Sequence, residues 1–234
     1  MAGKRTAVAA KERLTREAIV SSALALADAE GLEAVTIRRL ATDHGVTPMA
    51  LYWHFRDKDL LLDGVVERVL NEVEVPSYPE GEVPAWDIRV RDVLTAILQS
   101  LQRHPEVANL VHSRFLGCAP GLDLAEMFFA ALLDAGFDKE RRAELGIQAL
   151  HNVIVLVTME PGERALNASE EEVARRVREK KANLESLAPE RYPNVILCAG
   201  TLVSRPVEDR YLNLGLEVMV EGIRAVQAKL VRLG

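Results

Sequence analysis

The chain has 234 residues, 49% of them apolar, enough to bury the core of one large domain or of a small domain plus a larger one. Its net charge of −6 argues against binding nucleic acid with its whole surface, and its two cysteines, Cys118 and Cys198, form no CxxC pair, which excludes a disulfide scaffold and a structural zinc site. No run approaches the ~18 charge-free apolar residues of a membrane-spanning helix, and the N-terminus lacks an apolar signal region, so no membrane role is expected and the cytoplasm is the expected location.

The charge is unevenly spread. Lys4, Arg5, Lys11, Arg13 and Arg16 stand against Glu12 and Glu17 in the first twenty residues, whereas the part after Leu62 is acidic. Residues 1–14 read as a basic, flexible arm. Thr15 then caps a helix that runs to about Glu30, with Ile19, Ala23, Leu26 and Ala27 at helical spacing and Gly31 as its stop. Thr36 opens a second helix, with Ile37, Leu40 and Ala41 inward, and Gly45 ends it. Thr47 caps a third helix with Pro48 just inside its start, and Asp57 caps a fourth that runs to about Val75. Residues 15–62 read as one unit and 63–234 as a second, with the fourth helix shared between them.

A proline-bearing break at 76–84 precedes further helices at 86–103, 105–114 and 122–135, the last closed by Gly136. Asp138 caps another, reaching about Met159. The charged stretch 163–187 is either helix from Ser169 onward or a mobile excursion, and 206–230 makes a long final helix. No alternating run argues for a strand. The expected class is all-α, with nine or ten helices and no internal repeat.

The stretch 36–58, TIRRLATDHGVTPMALYWHFRDK, has the layout of two short helices joined by a tight turn, a unit that docks one helix into the major groove of DNA. Ile37, Leu40, Ala41, Val46, Ala50 and Leu51 lock the pair. Arg38, Thr47, Pro48 and Met49 stand where they can meet base edges, the arginine by two bonds to a guanine and the apolar pair through thymine methyls. Thr36, Tyr52, His54 and Lys58 are candidate phosphate partners, and Trp53 a wedge against the sugar-phosphate backbone. Phe55 reads as core. Tyr52, Trp53 and His54 cannot all face inward, because neighbours on a helix point about 100° apart.

The segment from about Leu14 to Val65, through its run AIVSSALALADAEGLEAVTIRRLATDHGVTPMALYWHFRDKDLLLDGV, resembles the DNA-binding domain of the TetR family of transcriptional regulators, most closely over ALYWHFRDKDLLL. The resemblance implies a homodimeric repressor whose two heads read a palindromic double-stranded operator and release it when a small molecule enters the helical second domain. It assigns Arg38, Thr47, Pro48 and Met49 to bases, and Thr36, Tyr52, His54 and Lys58 to phosphates. The second domain is similar to that of the tetracycline repressor around Trp86, RHPEVANLVHSRF and the AGF at Gly136. His112 falls where that repressor has a histidine tied to drug-bound magnesium, but Glu74 and Val93 replace the histidine and asparagine that grip the drug, so tetracycline is not the expected effector.

An effector site should be a largely apolar cavity between helices. The candidates are Leu98, Leu101, Leu110, His112, Phe115, Phe128, Phe129, His151, Val155 and Met159, with His112 as a polar handle and His151 a satisfied, buried histidine. The helices at 138–159 and 206–230 are the dimer candidates, with Gly215 and Gly222 permitting close approach. No catalytic residue, metal or cofactor is expected, since GxSxG, HExxH, GxGxxG and P-loop patterns are all missing. The competing readings are an effector-independent DNA-binding protein, which needs a filled second domain, and a helical protein-interaction module, which needs neither Arg38 nor Lys58.

Overall fold

The computed structural model describes residues 14–79, 81–158, 169–203 and 210–233. Eleven α-helices, two 3-10 turns and no strand occur among them. The order is α1 (Arg16–Glu30), α2 (Ile37–Asp43), α3 (Pro48–Tyr52), α4 (Lys58–Leu70), α5 (Trp86–Arg103), α6 (Ala108–Arg114), α7 (Ala119–Asp134), α8 (Lys139–Thr158), α9 (Glu170–Glu185), α10 (Pro193–Val203) and α11 (Arg210–Leu233). The expectation of nine or ten falls short because α10 was not foreseen. The basic arm and Met159 lie outside the described residues, apart from Leu14.

Local chemistry sets most boundaries. The side-chain oxygens of Thr15, Thr36 and Asp57 each accept from the backbone N–H three residues on, at 3.1, 3.1 and 2.9 Å. Thr47 holds the cap position of α3, but its hydroxyl makes no capping bond, contrary to expectation. Gly45 has φ +63°, the left-handed turn that separates α2 from α3 and that a side chain would strain. Three boundaries moved: α4 stops at Leu70 rather than near Val75, α6 begins at Ala108 rather than at 105, and α7 begins at Ala119 rather than Leu122.

α1 rests on α4, while α2 packs on α3 and on α1. Ile19, Ala23, Leu40, Leu51, Phe55, Leu61 and Val65 are buried in the head, and one continuous apolar cluster runs on through α4 into α5–α8 and α11. Polar links join the head to the body, among them Arg103, which donates to the Glu72 carbonyl at 3.2 Å. The Ser100 hydroxyl donates to the Val69 carbonyl at 2.8 Å. His104, just past α5, meets Asp28 of α1 at 2.8 Å and Glu72, beyond α4, at 3.0 Å. Arg114, closing α6, reaches Asp63 at 2.8 Å and Asp59 at 3.3 Å, both on α4. Gly215 of α11 faces Leu156 of α8 so closely that an added Cβ would lie 2.4 Å from it, so its smallness serves packing within the chain.

Candidate nucleic-acid interface and apolar cavity

The short helix α3 is held from one side only. Leu51 and Phe55 are buried beneath it, and the Arg16 guanidinium lies 4.5 Å above the Phe55 ring, tying the start of α1 to the end of the motif. The opposite side is open: Thr47, Pro48, Met49, Tyr52 and Trp53 are exposed, Trp53 to 86% and Met49 to 66%. Met49, Tyr52 and Trp53 thus place three large, partly or wholly apolar side chains together at the surface of the head.

The surrounding cations differ in availability. Arg39 is fully committed, donating to Glu30 at 2.7 and 3.0 Å and to Asp43 at 3.1 and 3.2 Å. These partners raise its pKa further, and its hydrogen bonds hold the Glu30 carboxyl below the usual value. Arg38 and Lys58 are exposed and have no side-chain partner among the described residues. Arg56 is equally open between Trp53 and Lys58; sequence reading passed over it, although it adjoins the motif on the same connection. Thr36 is exposed but its hydroxyl oxygen is occupied in capping α2, and His54 is half-buried.

The body holds an apolar cavity of about 300 Å³ between α5, α7, α8 and the 3-10 turn that follows α6. Of the ten expected lining residues, Phe115, Phe128 and Phe129 line it, together with Val93, Leu94, Ile97, Leu116, Leu124, Ile147, Leu150 and Val153. Leu98 and Leu101 follow the lining residues Leu94 and Ile97 by one turn of α5, buried in the core and outside the cavity wall. Leu110 and Val155 do not reach the cavity, Leu110 half-buried and Val155 at the surface. His112 and His151 are exposed, their rings edge to face 5.6 Å apart, so neither is the buried histidine or the polar handle expected. Every lining residue is apolar, and exposed Leu116 and Ile147 mark the mouth. No cluster of three or more His, Cys, Asp or Glu side chains suited to a metal occurs among the described residues.

Two glycines shape this region without having stood out in the sequence. A Cβ on Gly146 would lie 2.6 Å from the Phe129 ring. One on Gly121 would lie 1.7 Å from the Phe115 carbonyl oxygen, so only glycine lets the start of α7 press against the preceding turn.

Residues 19–65 match the family described as bacterial regulatory proteins, tetR family, and residues 78–227 match the tetracyclin repressor-like C-terminal domain. The chain belongs to the TetR family. The regulator is 34% identical over 154 residues to an HTH-type transcriptional regulator of Saccharopolyspora erythraea, covering 64% of this chain and 62% of the relative. It is 26% identical to the class G tetracycline repressor of Vibrio anguillarum over 92% of this chain and 96% of that one. The crystal structure of Streptomyces coelicolor ActR in complex with actinorhodin superposes with a TM-score of 0.75 at 29% identity, covering 92% and 99% of the two chains. The family is that of bacterial regulatory proteins, and the chain spans about three fifths of the length of the first curated relatives it matches.

Proposed function

We propose that the regulator is a ligand-released repressor that binds a palindromic operator as a homodimer in the cytoplasm. Arg38, Thr47, Pro48 and Met49 read bases, while Thr36, Tyr52, Trp53, His54 and Lys58 grip the backbone. The uncommitted Arg38 and the exposed Met49 support this division, because a base reader must keep its donors and methyls free. Arg56 joins the phosphate contacts.

One observation carries the release reading. Phe115 and Leu116 line the cavity, and the residue before them, Arg114, grips Asp59 and Asp63 on the helix that carries the head. A molecule entering the cavity displaces this wall and with it the hold on α4. Two heads on one face of B-DNA must sit about 34–36 Å apart, so a shift of a few ångströms loses the fit. The effector acts through its different affinities for the two head positions. A wholly apolar lining suits an effector with a largely apolar surface. The cavity also favours this reading over an effector-independent DNA-binding protein.

Selection of bound duplexes from random DNA tests both parts. The expected product is a two-fold symmetric site, released by some members of an apolar compound panel; actinorhodin, which ActR binds, is a first trial. Replacing Met49 by Gln should alter the selected sequence more than the overall affinity. An unsymmetric or unselected pool would overturn the operator reading, and an unaltered preference in Met49→Gln the base-reading role.

A further inference from the structure

His104 stands where three elements meet. It is the C-cap of α5, and its side chain is only 13% exposed. Its Nδ1 lies 2.8 Å from a carboxylate oxygen of Asp28 on α1, and its Nε2 lies 3.0 Å from one of Glu72, just past α4. A neutral imidazole has one N–H and one bare nitrogen, so it can donate to only one of these carboxylates and sets a lone pair against the other. Both contacts are hydrogen bonds only when both nitrogens carry protons. The end of α5 favours that cation too, because the last carbonyls of a helix carry partial negative charge. The two carboxylates differ in their other partners. Arg68 of α4 approaches Glu72 at 3.3 Å and Arg103 of α5 at 3.8 Å, and these two cations oppose a charge on the ring. Asp28 has no other side-chain partner among the described residues. Glu106 follows two residues further along the chain.

We infer that His104 is a proton-dependent latch between head and body: as the imidazolium it ties both α1 and the end of α4 to α5, and as the neutral ring it releases one of them. Histidine is the side chain whose charge changes between about pH 5 and 8, so the latch responds near neutral pH. The paired contacts need the proton. The latch is therefore closed at the acid end of that range and opens as pH rises. Ile97, which borders the cavity, precedes His104 by seven residues and so lies on the same face of α5. The latch thus holds the first helix of the head to a helix of the cavity wall, at a point apart from the grip of Arg114 on α4. The inference rests on the release reading of the proposed function, in which a held head fits the operator. Opening the latch then weakens operator binding, in the same direction as the effector.

Two measurements on the full chain test it. Nitrogen NMR of isotope-labelled histidine rings, without DNA and from about pH 5.5 to 8.5, reads the junction itself. The ring signals missing from His104→Gln belong to His104. Asp28→Asn, at an exposed position, and Glu72→Gln should each move the loss of its second ring proton to lower pH, and an unmoved titration in either variant overturns the latch. Fluorescence anisotropy with a selected operator reads the effect on binding. His104→Gln carries no charge at any pH, and His44 and His54 of the head remain in both chains, so their response cancels in the ratio. The wild type should bind about threefold more tightly than His104→Gln at about pH 6 and equally at about pH 8, and Asp28→Asn should lose the same advantage. If the operator binds but the ratio does not change with pH, the latch falls and the release reading stands. If no operator is selected at all, the release reading falls and takes the effect on binding with it, whereas the ring titration still decides the junction.

Discussion

Lys58→Ala offers the sharpest test of how the head holds DNA. Lys58 is the first residue of α4, exposed and without a side-chain partner, so its full charge is available to a phosphate. Each phosphate neutralised steepens the dependence of log K on log salt by about 0.9. A dimer loses two such contacts, so the slope should flatten by ~1.8, and the deficit of the variant should change by about tenfold between ~50 and ~200 mM salt. Arg39→Ala is the control. It removes the same charge from the same motif, but from a guanidinium already shared by Glu30 and Asp43. Its slope should stay near that of the wild type, although α1 and α2 lose a link. Fluorescence anisotropy of a labelled operator over a salt series reads both. A wild-type slope in Lys58→Ala, or equal flattening in both variants, would refute the reasoning.

Other outcomes follow from the packing and the charges. Gly121→Ala should cost about 2–3 kcal/mol in thermal unfolding, since a backbone oxygen 1.7 Å away cannot yield as a side chain can. Gly146→Ala should cost less, because the Phe129 ring can swing into the cavity, and should weaken uptake of an apolar fluorescent dye by about tenfold, or ~1.4 kcal/mol; unchanged uptake would place dye binding elsewhere. The hydrogen bond from His104, with further help from Arg68 and Arg103, holds the Glu72 carboxyl below its ordinary 4.5. A depressed carboxylate stabilises the fold above its unfolded pKa and loses that contribution as pH falls through the folded value. The difference in melting temperature between wild type and Glu72→Gln should therefore shrink below about pH 4.5, and a pH-independent difference would contradict the link. Burial and a hydrogen bond to Asp92 push Tyr78 up to about 12, so an ultraviolet titration should lose a late-ionising tyrosine in Tyr78→Phe.

The head was legible because its signals are local. A cap bond spans three residues, and Thr15, Thr36 and Asp57 made theirs as their positions dictate. Thr47 shows the limit, since the same residue type at the same position left its hydroxyl outward. The body was harder because a helix buried on several sides loses its directional pattern. On α5, Leu94 and Ile97 border the cavity while Leu98 and Leu101, one turn further along, are buried beyond it, and all four are equally apolar in sequence. A void leaves no mark on the residues that border it. α10 escaped for a related reason: a helix apolar all round has no polar stripe to reveal its period, and the exposure of Leu197 belongs to the fold alone. His151 misled because α8 is apolar toward the core but turns this ring outward, against His112.

The adjacency of Arg114 to Phe115 and Leu116 has a consequence for how such a protein can diversify. The grip on α4 uses one side chain, whereas the shape of the cavity is set mostly by others, on α5, α7 and α8. Resizing Val93, Phe129 or Ile147 changes which molecule fits while the arginine and its two aspartates stay as they are. On the proposed release through Arg114, new chemical senses are acquired in small substitutions on one side of the molecule, each inheriting the same output.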